Sequence, residues 1–216
     1  MMRQFYPDVK DLTREEEETA EPPSLPVFKS SNDVGKLRTI VLDDVHKVFG
    51  RKIKAGDTPA EWMFVNSWHT IGPFANPQRQ NIHRKFPPET VIDLDARYLG
   101  KGGKEVRWKF IESAKEMMTP ADPEEYAIYY AYTELHCDRA MDLWVAVGSD
   151  DKANVWLNGM PIWISSDKLK GWKVNEGFRK VSFRKGVNSV LYRVENGWHD
   201  VGFSFGIRVA ESPGEP

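Results

Sequence analysis

At 216 residues, 40% hydrophobic and 29% charged, the chain has the length and composition of one large globular domain with a full core. A formal charge of −2 argues against the concentrated basic face of a nucleic-acid binder, and no apolar run reaches membrane-spanning length. A single cysteine, Cys137, rules out an internal disulfide and the usual Cys/His zinc set, and the 5 histidines show no paired ligand spacing.

Residues 1–35 carry the run Glu15-Glu16-Glu17-Glu18 and the prolines Pro22, Pro23 and Pro26. This composition predicts a linker or an arm lying along a domain that spans 36–212, with one short helix capped by Thr13 and Glu16. A first edge strand is expected over 37–42, and a helical turn starting at Thr58-Pro59 before a buried strand over 62–71. Gly72-Pro73 is expected to stop that strand. Residues 75–104 read as loop, 105–111 as a strand and 112–118 as a short helix.

Beyond this point strands follow closely, over 126–137, 142–148, 153–157, 161–165, 178–184, 188–195 and 201–209. Cys137 continues the alternation of its strand and is expected to be a buried structural thiol. Asn158-Gly159 supplies the positive φ of a tight hairpin. In the last strand Phe203, Phe205, Ile207 and Val209 share one face, the two-residue period of a half-buried antiparallel strand. Many short strands with regular turns and little helix predict an all-β antiparallel sandwich of the jelly-roll kind.

The segment Gly148-Ser149-Asp150-Asp151, followed by Val155-Trp156-Leu157-Asn158-Gly159, resembles the aspartate-bearing turn and hairpin of protective-antigen-type lectin domains and related galactose-binding-like modules. Phe178–Phe183, Lys185-Gly186 and the strand ending at Glu195-Asn196-Gly197-Trp198 are similar to the closing strands of such modules. Trp68–Phe74 resembles the first core strand of jelly-roll modules attached to bacterial polysaccharide-degrading and surface proteins. The resemblance implies a carbohydrate-binding accessory module of an exported bacterial protein, placed extracellularly, at the cell surface or in the periplasm, although no signal peptide opens this chain. It also implies that Asp150 and Asp151, with Asn196 as an amide ligand, would hold calcium. The alternative for the aspartates is a pair of Asx turns that start the hairpin.

With 8 tryptophans in the chain, those on loops matter most, because an indole is a flat platform for a sugar ring. The turn 195–200 gathers a carboxylate, an amide, Trp198, His199 and Asp200. Trp172, beside Asn175, extends the candidate platform. The expected carbohydrate contacts are therefore Trp172, Trp198, Asn196, His199, Asp200 and Asn175, on loops 149–152, 166–175 and 195–200. Trp198 could instead fold back over the sandwich edge, and Trp163 or Trp172 could plug the core. The basic residues Lys168, Lys170, Lys173, Arg179 and Lys180 read as a solvated face. Glu112, Glu134, Glu195 and Asp200 show no catalytic pairing, and no nucleophile elbow or phosphate-cradling loop is present, so no catalysis is expected. Partners would be a polysaccharide or other domains of a larger protein, with no nucleic acid and no membrane span. A second reading is a structural or protein-interaction jelly roll with no small ligand.

Overall fold

The computed structural model describes residues 38–40, 51–52, 62–174 and 176–208. The predicted arm over 1–35, both predicted N-terminal helical segments, and Asn175 lie outside the described residues. Among the described residues fourteen strands follow in chain order: β1 Arg38–Ile40, β2 Arg51–Lys52, β3 Met63–Phe64, β4 Ser67–Ala75, β5 Arg97–Leu99, β6 Glu105–Arg107 and β7 Lys109–Glu112 come first. Then come β8 Ala127–Cys137, β9 Met141–Asp150, β10 Ala153–Leu157, β11 Met160–Ile164, β12 Gly177–Phe183, β13 Gly186–Asn196 and β14 Gly202–Arg208.

They form an all-β sandwich. One sheet runs β11-β10-β13-β8-β4-β7, with β1 pairing β8 in parallel, a second runs β12-β9-β14-β3-β2, and β5 and β6 form a separate two-stranded sheet. Every other pairing is antiparallel. The central pair β8–β13 is in register from Ala127 opposite Asn196 to Cys137 opposite Gly186. Cys137 is fully buried in the core, as its place in the alternation implies. The Asn158-Gly159 turn has positive φ at both residues, 53° and 79°, and closes the β10–β11 hairpin as the sequence predicts.

Between the sheets Trp68 is the central filler. Its ring meets Phe203, Phe205 and Tyr192 edge-on at centroid distances of 5.3, 6.2 and 6.3 Å, an arrangement that the ring quadrupole favours. Both outer faces are covered as well. Ile71, Phe74, Ile128, Tyr130 and Tyr132 lie under Phe86, Val106 and Trp108 from the 76–108 segment, and Trp62, Phe64 and Ala146 lie under Val174, with Trp144, Trp172 and Phe178 packed against them.

The structure corrects five sequence expectations. The strand expected over 62–71 is two strands in different sheets, because the chain crosses between layers at Val65-Asn66. The Trp68 indole N–H donates to the Val65 carbonyl at 2.9 Å and holds that crossing. Gly72-Pro73, a cis peptide, interrupts β4 without ending it: the register slips between Ile71 and Phe74, which gives proline a place with no ladder donor. Residues 112–118 form no helix, since the Met118 N–H and carbonyl pair with Phe203 instead. The last strand is buried on both faces, with Ser204 as inaccessible as Phe203, because the tryptophan-rich layer covers its polar side. The segment 105–111 is likewise divided at Trp108 between β6 and β7.

Candidate functional site

At one end of the sandwich the turn after β9, the loop from β11 to β12 and the turn from β13 to β14 meet. Asp151, 3% exposed, joins all of them. One of its carboxylate oxygens accepts the Lys170 backbone N–H at 2.8 Å, and the other accepts the Gly197 backbone N–H at 2.9 Å. Its own N–H donates to the Glu195 carbonyl at 2.7 Å, continuing the ladder beyond β10. The Asp150–Asp151 peptide is cis.

Trp198 stands on this scaffold. Gly197, before it, donates to Asp151, and His199, after it, donates its backbone N–H to a Glu125 oxygen at 3.1 Å. The indole is 50% exposed, with the Tyr126 ring against it at 5.8 Å and the His199 ring at 5.4 Å, both edge-on. Leu169, 56% exposed, packs across Gly197, where any side chain at 197 would collide with it. Asp200 is exposed. A fixed backbone thus presents an open apolar surface made of Trp198 and Leu169.

A polar web beneath this surface locks the loops together. Glu195, 1% exposed, receives Arg79 in a two-pronged ion pair at 2.7 and 2.8 Å and the Asn76 amide at 2.9 Å. That charge raises the Arg79 guanidinium above its usual range. The Lys170 ammonium donates to the Ser149 carbonyl and hydroxyl at 2.6 and 2.7 Å and to Glu176 at 2.8 Å. Lys152, buried, donates to Asp167 at 2.5 Å, and His83 meets the other Asp167 oxygen at 2.9 Å, which together hold Asp167 below the usual carboxylate range. Asp150 is half-buried. Desolvation, then the charges of Asp151 and Asp200, push its carboxyl up to about 6, against the opposing Trp172 backbone N–H and Lys170.

The predicted residues fall into separate groups. Trp198, His199, Asp200 and the Asp150-Asp151 turn meet at this end. Asn196 is fully buried beneath the turn: its Nδ2 donates to the Glu124 and His199 carbonyls, and its Oδ1 has no hydrogen-bond partner. It supports the turn from inside and does not face a sugar. Trp172 is half-buried against the layer of Trp62, Phe64 and Phe178, with its indole N–H donated to Ser204 Oγ at 3.1 Å, so it serves chiefly as packing. Trp163 packs on the core, under Arg179 at 5.1 Å. Lys170 belongs to the internal web and not to a solvated face. Arg79 and Glu125 were not predicted and arrive from loops far off in the chain; Leu169 lies on the expected loop 166–175 but was not singled out, and none of the three carries a local motif.

For calcium, Asp150, Asp151 and Asn196 make an oxygen-only set of the kind a hard cation takes, and Asn196 Oδ1 is without a donor. Among the described residues, however, no three His, Cys, Asp or Glu side chains gather in a metal-binding group, and both Asp151 oxygens already accept N–H donors.

Fold and site together define an all-β sandwich domain with an aromatic-bearing loop end. Among the described residues no helix is long and apolar enough to cross a membrane. No family model matches the chain, and no curated protein does. Solved structures give distant likenesses. A β-glucosidase from Kluyveromyces marxianus in complex with glucose is 14% identical over 49% of this chain and 15% of its own, with a TM-score of 0.36. The Ruminococcus gnavus β-glucuronidase is 10% identical over 78% of this chain and 31% of its own, at 0.39. The Faecalibacterium prausnitzii β-glucuronidase is 10% identical over 72% and 32%, at 0.33. The chain spans a third or less of the length of each, and scores this low carry no weight for function.

Proposed function

We propose that this domain is a non-catalytic carbohydrate-binding module of an exported protein, taking a glycan through the loops at one end of the sandwich. The observation that supports this most is Trp198, half exposed while hydrogen bonds from Gly197 and His199 fix the backbone on either side of it. An indole already held in place loses little freedom when a pyranose stacks on it, so even a small contact yields net affinity. Leu169 widens the apolar surface, while His199 and Asp200 offer polar groups to sugar hydroxyls. Trp172, with its N–H spent on Ser204, contributes little. Calcium at Asp150, Asp151 and Asn196 is part of the same proposal and is tested with it.

A glycan array with wild type and Trp198→Ala, in calcium and in chelator, tests ligand, metal and site together. Expected is binding to at least one polysaccharide, weakened about tenfold or more in Trp198→Ala, a loss of roughly 1.4 kcal/mol. Binding to no glycan, or equal binding by the variant, overturns the proposal and leaves a structural or protein-docking role. Binding that persists in chelator removes calcium.

A further inference from the structure

Among the described residues the two large sheets end on β11, β7, β12 and β2. Native edge strands are commonly blunted by charged side chains, because their open backbone groups accept another strand. β7 carries Lys109 and Glu112, β12 carries Arg179 and Lys180, and β2 reads Arg51-Lys52. β11, Met160-Pro161-Ile162-Trp163-Ile164, carries no charge, and its Met160 and Ile164 are 69% and 63% exposed. Among the described residues it pairs with β10 alone. Ser165 donates its N–H to the Ala153 carbonyl at 2.9 Å, so the alternation of an antiparallel ladder turns the N–H and carbonyl of Ile164, one residue back, away from β10. Pro161 withholds a donor only near the hairpin turn.

The surface beside this edge is positive. Residues 165–185 hold seven Lys and Arg against two carboxylates, Asp167 and Glu176. Both carboxylates are taken, Asp167 by Lys152 and His83 and Glu176 by Lys170. Lys168, Lys173, Arg179 and Lys180 are exposed, and among the described residues none of them has a carboxylate partner. The Arg179 guanidinium lies over the ring of Trp163 in β11 at 5.1 Å, and Lys168 follows Ile164 by four positions. A second copy would bring the same cations to the same edge and be repelled. An acidic polysaccharide would meet the cations but return nothing to the open backbone of Ile164. A peptide strand carrying carboxylates satisfies both.

We propose that β11 is a docking edge for an acidic, extended segment of a partner protein, added as a further strand beside Ile164 with its carboxylates on Arg179 and Lys168. This uses the side of the sandwich and not the Trp198 surface, so it stands or falls apart from the glycan-binding reading.

Fluorescence anisotropy of the full chain with a labelled peptide of alternating glutamate and valine tests it, with lysine in place of glutamate as the control. Expected is binding at least about tenfold tighter for the acidic peptide, weakened several-fold at about 0.5 M salt. The Ile164 amide should exchange with solvent about tenfold more slowly in the complex. Ile164→Pro, which gives up an N–H that β10 does not use, should weaken binding about tenfold. Lys168→Glu/Arg179→Glu should bring the two peptides within about twofold. Trp198→Ala should bind the acidic peptide as wild type does. No binding, equal binding of both peptides, unchanged exchange at Ile164, or a loss in Trp198→Ala overturns the inference. Oligogalacturonate bound as tightly as the acidic peptide would mean that the surface reads charge and not a strand. Self-association abolished by Ile164→Pro would make the occupant a second copy. Either result overturns it as well.

Discussion

The carboxylate of Asp151 accepts the backbone N–H of Gly197 at 2.9 Å across the mouth of the sandwich, while its second oxygen does the same for Lys170 at 2.8 Å. One buried side chain therefore sets where both Leu169 and Trp198 stand. Asp151→Ala strands two donors and is expected to cost about 2–4 kcal/mol. The urea midpoint should fall, and the Lys170 and Gly197 amides should exchange faster with solvent than in wild type. A loss under about 0.5 kcal/mol would mean that Asp151 does not hold the loops.

Gly177, at the start of β12, leaves no room for a side chain: a Cβ there would sit 2.0 Å from the Trp163 ring. Gly177→Ala must displace that indole, over which the Arg179 guanidinium lies at 5.1 Å. A destabilisation of about 1–3 kcal/mol is expected, with a red-shifted tryptophan emission as Trp163 moves toward water. Unchanged emission with unchanged stability would contradict the close approach.

For Asp150, burial and the charges of Asp151 and Asp200 raise the folded carboxyl to about 6 from its ordinary 3.8. Between those values the folded chain keeps a proton that the unfolded chain has released, so stability falls as pH rises from about 4 to 6. Asp150→Asn removes that penalty and keeps an acceptor for the Trp172 N–H. Its Tm should match wild type near pH 4 and exceed it by roughly 2 °C at pH 7. An offset that does not vary with pH would refute this assignment.

The Cys137 thiol is fully buried, and desolvation pushes it up to about 11. Its modification by an aromatic disulfide reagent at pH 8 should be at least about 100-fold slower in the folded protein than in urea, limited by opening of the structure. Rapid labelling of the native protein would place the thiol at the surface.

Much of the strand content is legible in the sequence because it depends on neighbours. Asn158-Gly159 specifies its own hairpin, and Phe203, Phe205 and Ile207 announce a face by spacing alone. What depends on distant residues is not legible. The polarity of Ser204 suggests an open face, yet Trp172 arrives from another loop to cover it and take its hydroxyl as a partner. Trp172 and Trp198 look equivalent as loop tryptophans, and only the hydrogen bond of the first and the exposure of the second separate them. Arg79 shows no pattern with Glu195 because the two stand 116 positions apart in the chain. The partners of Asp151 are backbone amides, which no sequence motif displays.

At Val65-Asn66 the chain leaves one sheet and enters the other, so the phase of the two layers is counted along a single stretch of backbone. One residue inserted between Phe64 and Ser67 would leave the Met63–Phe64 pairing intact but reverse the alternation that follows. Trp68 would then point to the outside of its sheet and His69 into the interior. The number of residues in this crossing is therefore fixed more tightly than their identity, and a one-residue change in length there would cost the domain its central aromatic filler.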